Sequence, residues 1–426
     1  MLLEVDDQSQ EDSVISKNHD VATNGDQATV TLKFVDLYHE VQDSEPVIHL
    51  FGRDSDAERW HIEVHGFYPY FCVHRDISNE VFNSLNNDHR VRSVEFEEDD
   101  DLYGDGLWRV EVLEPKHIRE LRDEFDDPQE ADVKYTDRFL VDTGIKQGFE
   151  VPIDCNQSSD TVASSQSEEG KVPVDARDNP IHYTDIEPVD EDLDVTPRVC
   201  TLDIEVQMSD EGHSVVSEEG TELARQPITA ITAHDNYEDE YQVWVLVHEN
   251  WVDDTERISQ LHEEIDGVGE VQVFHDERSL LQDFVQYVKV YKFDILTGWN
   301  SNNFDIPYLV NRCLKEQGVF SIMEWSPTRD VNTMNGEGKW LNSDLKGIML
   351  FDMMVGVKKT QVHELKSYSL SNVAAELLDI DKLTIGDIDN AWRESPKEFI
   401  KYNVRDTEAV VKIDRKIGIL AYDGDE

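Results

Sequence analysis

Residues 199–206 read VCTLDIEV, and this stretch indicates how the second half of the chain folds. Apolar and β-branched residues occupy every position except Asp203 and Glu205, which predicts a buried strand. Because successive side chains of a strand point to opposite faces, these two carboxylates lie on the same face. Burying them together costs free energy unless cations neutralise their charge. Taken alone, the pair is also consistent with an exposed strand edge.

The sequence after this strand predicts a sheet with helices packed on it. Two more apolar strands follow at residues 228–233 and 241–247, joined by a short acidic turn. A helix comes next, since five apolar residues recur at helical spacing: Leu280, Leu281, Phe284, Val285 and Val288. A short strand at 295–299 and a helix at about 307–316 continue the pattern. Three successive strands and then alternating helices and strands predict a mixed α/β sheet.

Two later segments also place carboxylates on regular structure. Asp305 stands where a helix begins just after a strand, so it could be only the N-cap of that helix. The last helix opens with Ser395, Pro396 and Glu398, which predicts a capping box, and should run to about residue 416. Tyr402 and Asp406 are four apart on that helix and share a face, which could equally be a solvated one.

The three elements together resemble the exonuclease motifs of a known family. Asp203-Ile-Glu205, Asn300-x-x-x-Phe304-Asp305 and Tyr402-x-x-x-Asp406 are similar to the three motifs of family B DNA polymerases, in the tyrosine variant of the DEDD superfamily of 3′→5′ exonucleases. Residues 304–312 and 365–374 resemble the flanking segments. Val206 replaces the usual Thr and Trp299 the common Tyr, but neither change removes a carboxylate.

The resemblance implies a fold, a chemistry and a set of site residues. The fold is RNase H-like, and Asp203, Glu205, Asp305 and Asp406 hold two divalent ions, Mg²⁺ or Mn²⁺, while Tyr402 orients the attacking water. Four carboxylates carry enough negative charge for two such ions. The products are nucleoside 5′-monophosphates, removed from single-stranded or frayed 3′ ends of DNA. Asn300 and Phe304 contact the terminal nucleotides, although Phe304 is as consistent with core packing.

The first half of the chain predicts a separate domain. Alternating residues at 29–35 and 47–51 are typical of strands, and we expect a mostly β (α+β) domain over residues 29–153. Residues 47–51, 67–71 and 138–142 resemble the N-terminal domain of archaeal polymerases. That resemblance implies a template-uracil pocket at Pro69, Arg119 and Tyr135; a purely structural role for these three residues is the alternative.

Composition defines the remaining segments and the surroundings in which the chain works. We expect a disordered acidic tail at 1–28, an acidic linker at 154–196 and the exonuclease domain at 197–426. Lys plus Arg number 38 against 93 Asp plus Glu, a formal charge of −55. This charge is spread along the chain, so we interpret it as halophilic, haloarchaeal-like adaptation. In molar salt the Debye length is about 3 Å, and the acidity does not exclude DNA binding.

The sequence shows neither a membrane-spanning run nor a CxxC pair, and both observations bear on the compartment and the partners that we expect. No apolar run approaches the ~20 residues of a membrane helix, and Cys72, Cys155, Cys200 and Cys313 form no CxxC pair. We therefore expect a cytoplasmic protein with free thiols and no membrane partner. The palm, fingers and thumb of the family would follow residue 426, so a separate polymerase-domain chain or a sliding clamp is a possible partner. The alternatives are a non-catalytic remnant that binds single-stranded DNA or a polymerase, and an RNA nuclease.

Overall fold

The computed structural model describes ten segments of the chain, which are residues 22–23, 28–97, 106–125, 127–153, 180–191, 193–207, 224–317, 345–361, 365–378 and 388–420. The chain divides into two compact units. The first consists of Met1–Phe34, Val41–Ile48 and Gly52–Val195, and the second of Val35–Glu40, His49–Phe51 and Thr196–Glu426. The predicted mixed α/β class is confirmed.

Two sheets make up the first unit, except that Val35–Glu40 and His49–Phe51 of the larger sheet belong to the second unit. The larger has the strand order β10-β8-β2-β3-β4-β9, with β1 paired to β2. Its strands are β1 (Ala22–Thr23), β2 (Ala28–Gln42), β3 (Glu45–Arg53), β4 (Arg59–His65), β8 (Gly148–Ile153), β9 (Ile181–His182) and β10 (Glu187–Val189). The smaller has the order β5-β7-β6, from β5 (Tyr70–His74), β6 (Val91–Glu97) and β7 (Leu107–Val112). The helices of the first unit are α1 (Asn79–Asn86), α2 (Pro115–Arg122) and α3 (Tyr135–Thr143).

The structure differs from the sequence-based boundaries at three places in this unit. Ala22–Thr23, expected in the tail, pairs with β2, and β9 and β10 lie inside the expected linker at 154–196. These strands are short and add to existing sheet edges, so their own sequence carries little periodicity. The rest of the tail and residues 154–179, with Cys155, lie outside the described residues.

The second unit holds a six-stranded sheet of the order β14-β13-β12-β11-β15-β16. Strands β11, β12 and β13 are antiparallel neighbours, whereas the pairs β13–β14, β11–β15 and β15–β16 are parallel. The strands are β11 (Val199–Val206), β12 (Ile228–Asp235), β13 (Glu240–Leu246), β14 (Val268–Phe274), β15 (Ile295–Gly298) and β16 (Met349–Asp352). The predicted strands at 199–206, 228–233, 241–247 and 295–299 therefore all exist, within one residue at most ends.

Helices cover both faces of this sheet. They are α4 (Thr255–Ser259), α5 (Glu277–Tyr291), α6 (Asp305–Gln317), α7 (Met353–Thr360), α8 (Leu370–Leu378), α9 (Ile388–Glu394) and α10 (Pro396–Ile417). On one face, residues of α5 and α6 pack on Leu202, Ile204 and Trp244. On the other, α9 and α10 pack on Ala230, Val243 and Val245. All five apolar residues that predicted α5 are buried.

Helix α10 starts and ends where its sequence indicates. Ser395 is the N-cap, Pro396 is the first helical residue, and Gly418 ends the helix in the left-handed conformation at φ 64°. The predicted capping box is wrong in one respect, because the Ser395 side chain caps no backbone N–H. Its ψ of 69° departs from the extended conformation that aims an N-cap hydroxyl at the first turn.

Two further expectations concern thiols and membranes. Cys72, Cys200 and Cys313 are buried, and none of these three described cysteines forms a disulfide bond. Within the described segments, no helix is both long enough and apolar enough to cross a membrane.

Candidate functional site

The first two carboxylates come from strand β11. Asp203 and Glu205 alternate with Leu202 and Ile204, whose side chains enter the core on the α5 and α6 side. The two acids therefore lie on the opposite face, which α10 covers. Glu205 is only 8% exposed, so it is not the surface-edge residue that the sequence alone left possible.

The third carboxylate comes from the first turn of α6. Asp305 is 3% exposed, and its Oδ1 accepts a hydrogen bond of 3.2 Å from the backbone N–H of Ile204. This bond holds it against β11, between the positions of Asp203 and Glu205. The carboxylate therefore does more than begin its own helix. Strand β15 also lies close to β11 here, since a Cβ at Gly298, the last residue of β15, would lie 2.5 Å from the Leu202 carbonyl oxygen. This close approach helps to keep Asp305 against β11.

The last two side chains come from α10. Tyr402 and Asp406 lie one turn apart, and the Tyr402 hydroxyl donates a hydrogen bond to Asp406, which offsets part of the rise that burial causes in the pKa of Asp406. One ligand oxygen from each of Asp203, Glu205 and Asp406 lies within 4.8 Å of the other two. The structure thus brings the three predicted motifs together, and the solvated-face alternative for Tyr402 and Asp406 does not hold.

The electrostatics of this carboxylate cluster are unfavourable without a cation. Burial first, and then the charges of Asp305, Glu205 and Asp406, raise the pKa of Asp203 well above its ordinary value. Burial and the charges of Asp406 and Asp305 raise the pKa of Glu205 to about 8. Burial raises the pKa of Asp305 to about 7 and that of Asp406 to about 6. The cluster therefore holds protons near neutral pH.

The cluster fits the divalent ions that the sequence predicted. Every ligand is a carboxylate oxygen, the donor that Mg²⁺ and Mn²⁺ prefer. A divalent cation would also relieve the repulsion that raises these pKa values. Asp203, Glu205 and Asp406 are close enough to share one ion, and Asp305 adjoins them through its contact with β11.

Three residues near the cluster escaped the sequence analysis. Asp352, at the end of β16, accepts hydrogen bonds from the backbone N–H groups of Asn300 (3.2 Å) and Val355 (3.3 Å). Asn403 of α10 donates to Asp203, and Thr232 of β12 donates to Asn403. No spacing rule singles them out, because each acts through a neighbour that only the folded sheet supplies.

The two predicted DNA-contacting residues lie in the turn before Asp305. Asn300 has φ 62°, a left-handed conformation that Asn tolerates, and Asp352 holds its N–H. Its side-chain oxygen accepts from Asn303 Nδ2 at 3.0 Å. Phe304 is partly buried, packs on the core and contacts the ring of Tyr308 at 5.5 Å between centroids. This packing favours the structural alternative for Phe304.

The three residues proposed for a template-uracil pocket lie in the first unit. Tyr135 is buried, stacks on Phe67 and donates its hydroxyl to the Phe67 carbonyl oxygen at 2.5 Å. The carbonyl of Pro69 accepts the N–H of Val112 at 2.9 Å. Arg119 is exposed on α2. These contacts give Pro69 and Tyr135 structural roles, which favours the alternative interpretation.

Comparison with known proteins agrees with this geometry. Residues 127–373 match the family described as "DNA polymerase family B, exonuclease domain". The chain is 28% identical over 235 residues to the DNA-directed DNA polymerase of Escherichia phage RB69, covering 51% of this chain and 25% of that protein. It is 25% identical over 322 residues to DNA polymerase 1 of Sulfolobus acidocaldarius, covering 72% and 33%.

A longer match and a solved structure extend the comparison. The catalytic subunit of DNA polymerase delta from Dictyostelium discoideum is 23% identical over 438 residues, covering 88% of this chain and 37% of that protein. The family B DNA polymerase of Pyrobaculum calidifontis has a similar fold, with a TM-score of 0.64 at 21% identity, over 90% of this chain and 45% of that one. The chain thus spans a quarter to two fifths of these curated relatives.

Proposed function

Since the chain belongs to the family of family B DNA polymerase exonuclease domains, we propose that it is a metal-dependent 3′→5′ exonuclease of the proofreading type. One observation carries the proposal: carboxylates from a strand, a strand-to-helix turn and a late helix meet in one partly buried cluster. Buried like charges are costly, and their convergence is typical of a site that binds cations and phosphate esters.

The carboxylates and Tyr402 have distinct parts in this reaction. Asp203, Glu205, Asp305 and Asp406 would hold the cations, and Tyr402 would orient the attacking water through its hydroxyl, which lies beside Asp406. When bound there, Mg²⁺ or Mn²⁺ supplies Lewis-acid stabilisation of the negative charge that develops on the phosphate. The water attacks the terminal phosphodiester, the bond to the 3′-oxygen of the preceding nucleotide breaks, and a nucleoside 5′-monophosphate leaves.

The substrate of the proposal is a single-stranded or frayed 3′ end of DNA. The relatives are DNA polymerases by name, which supports DNA over RNA. Asn300 borders the cluster, since it lies in the turn that ends at Asp305, and we assign it to the terminal nucleotide. Burial of Phe304 leaves its ring less available for that contact.

The proposal also covers the salt concentration in which the reaction takes place and the protein partner of the chain. The charge of −55 favours a cytoplasm with molar salt, as in haloarchaea, where phosphate repulsion is screened within about 3 Å. A polymerase-domain chain or a sliding clamp would be the protein partner. The chain spans only part of the length of its relatives, so the proposal covers exonuclease activity alone.

The experiment is a degradation assay in molar KCl. A 5′-labelled DNA strand with a 3′ mismatch is incubated with the chain and Mg²⁺ or Mn²⁺, beside an Asp203→Ala, Glu205→Ala control and an RNA strand of the same sequence. We expect stepwise shortening of the DNA from its 3′ end by the parent alone, with release of nucleoside 5′-monophosphates.

The other outcomes separate the alternatives. Intact DNA that the folded parent still binds would indicate the non-catalytic remnant. Degradation of the RNA strand alone would indicate an RNA nuclease. Equal activity in the parent and the double variant would show that the cluster is not the site.

A further inference from the structure

The carboxylate of Asp203 is held by a short chain of hydrogen bonds. Thr232 of β12 lies directly opposite Asp203 in the antiparallel pair, so both side chains project from the same face of the sheet. Asn403 of α10 packs over them. Thr232 and Asn403 are fully buried, with 0% of their surface exposed, so their polar groups depend on protein partners.

The direction of these bonds fixes how the amide of Asn403 points. The Thr232 hydroxyl donates to Asn403 Oδ1 at 2.5 Å, and Asn403 Nδ2 donates to Asp203 Oδ2 at 2.7 Å. A flipped amide would place its NH₂ group against the hydroxyl and its oxygen against a carboxylate, which repels it. The carboxylate of Asp203, which can only accept, therefore sets the direction of the amide, and the Thr232 hydroxyl donates to the amide oxygen and anchors it to β12.

A neutral donor suits this position better than a cation. A lysine or arginine would neutralise Asp203 and weaken its attraction for a metal ion. An apolar residue would leave a carboxylate oxygen of the partly buried Asp203 without this partner, which costs free energy. The amide of Asn403 satisfies Oδ2, keeps the full negative charge and limits rotation of the carboxylate.

We propose that Asn403 and Thr232 are positioning residues, which fix the Asp203 carboxylate in the orientation in which it binds the divalent ion. The inference rests on the proposed exonuclease function. Neither residue touches the reacting atoms; Thr232 acts through Asn403, and Asn403 acts through Asp203. In metal sites generally, loss of a group that orients a ligand reduces metal affinity or activity about 10–100-fold.

Thr232 offers a matched pair of variants. Thr232→Val keeps the shape of the side chain and removes the hydroxyl, whereas Thr232→Ser keeps the hydroxyl and removes a methyl group. We expect Thr232→Val to weaken Mn²⁺ binding, measured by titration calorimetry, and to lower kcat, each about tenfold. Thr232→Ser should stay within about threefold of the parent, and KM for DNA should not change in either variant.

Asn403 is tested by the same readouts. Asn403→Leu should lose at least as much Mn²⁺ affinity as Thr232→Val. The double variant should lose little more than either single variant, because both substitutions interrupt the same chain of hydrogen bonds. Thermal melting in the molar KCl of the degradation assay shows which variants fold. If Asn403→Leu does not fold, the Thr232 pair still decides the question, since valine is nearly isosteric with threonine.

The outcomes distinguish this inference from the proposed function. If Thr232→Ser is impaired more than Thr232→Val, Thr232 serves packing and the positioning role is wrong. If the parent binds Mn²⁺ and cuts no DNA, the exonuclease function fails, while the ratio of Mn²⁺ affinities still tests the positioning role. If the parent binds no Mn²⁺, both are overturned.

Discussion

Each unit of the molecule buries a group of charged and polar side chains, and the two groups are built on opposite principles. In the first unit, Tyr70 lies between two guanidinium groups, with Arg109 at 3.6 Å and Arg138 at 4.5 Å from its ring centroid. Its hydroxyl donates to Asp142 at 2.9 Å and accepts from Arg138 at 3.1 Å. Arg138 also pairs with Glu130 at 2.5 Å.

In the second unit, the carboxylate cluster brings together charges of one sign. Apart from Arg405, which offsets part of the rise that burial causes in the pKa of Asp406, the charges that act on its members are those of other carboxylates. The Tyr70 network is complete as it stands, because every charge has an opposite neighbour. The carboxylate cluster is complete only with a ligand that it attracts. Removing one charge should therefore have opposite effects in the two groups.

The largest expected effect is the loss of a charge from the Tyr70 network. Arg138→Met keeps much of the side-chain volume but leaves Glu130 without its ion-pair partner and removes one of the two guanidinium groups that act on Asp142, so we expect a loss of about 3 kcal/mol in the free energy of unfolding. Urea unfolding followed by tryptophan fluorescence in constant KCl measures it. Glu130→Gln is the control and should cost less than about 1 kcal/mol, since Glu130 is half exposed. Unchanged stability of Arg138→Met would show that the network does not hold the fold.

The next effect is that of a cation on the carboxylate cluster. At 100 times its dissociation constant, Mn²⁺ should stabilise the protein by about 2.7 kcal/mol, and chelation should reverse the gain. Because Glu205 has a pKa of about 8 and Asp305 of about 7, binding at pH 7 should also release protons. Calorimetry in two buffers of different ionisation enthalpy measures this release. Equal stabilisation of the Asp203→Ala, Glu205→Ala variant would place the ion elsewhere.

A smaller effect, the dependence of stability on pH, distinguishes the carboxylate cluster from the groups of the first unit. The pKa of Glu205 is raised to about 8, so the metal-free folded protein holds a proton that the unfolded chain loses above pH 4.5, and stability falls as the pH rises between these values. Glu205→Gln removes this penalty. We expect a gain of about 2 kcal/mol at pH 8 and none near pH 4, since one pKa unit equals about 1.4 kcal/mol and neighbouring carboxyls share the protons.

Asp88 in the first unit provides a control in which the dependence of stability on pH has the opposite sign. A hydrogen bond from Arg90 lowers the pKa of Asp88 to about 2, so its contribution is present above pH 4 and disappears as the pH falls through 2. Asp88→Asn should therefore lower stability at pH 8. A gain in Asp88→Asn, or a loss in Glu205→Gln, would contradict the distinction between balanced and like-charged groups.

The carboxylate cluster was predictable because its residues interrupt strong local patterns. Asp203 and Glu205 stand out in an apolar strand, and Asp305 and Asp406 stand at positions fixed by helix start signals. Sequence periodicity also predicted β11 to β13 with nearly correct bounds, and it predicted the buried residues of helix α5. Each segment alone left a structural alternative open, and only the three motifs together, through their resemblance to a known family, indicated the site.

The supporting residues were not predictable, since their partners are distant in sequence. Asn403 is 200 residues from Asp203, and Asp352 is 52 from Asn300. The Tyr70 network likewise joins positions 70 and 142. The short strands β9 and β10 form because a sheet edge is available to them, which no local pattern records. Tertiary neighbours therefore decide what these residues do.

The smallest expected effect comes from one matched tyrosine in each group. The hydroxyls of Tyr70 and Tyr402 both hydrogen-bond to a carboxylate, Asp142 and Asp406 respectively, yet we assign one to stability and the other to chemistry. Tyr402→Phe should lower the rate of nucleotide release about tenfold, equivalent to about 1.4 kcal/mol, with little change in the melting temperature. Tyr70→Phe should lower stability by about 1 kcal/mol and leave the rate per folded molecule unchanged. If Tyr402→Phe keeps the full rate, the water is oriented by the carboxylates alone, and the hydroxyl of Tyr402 has the same structural role as that of Tyr70.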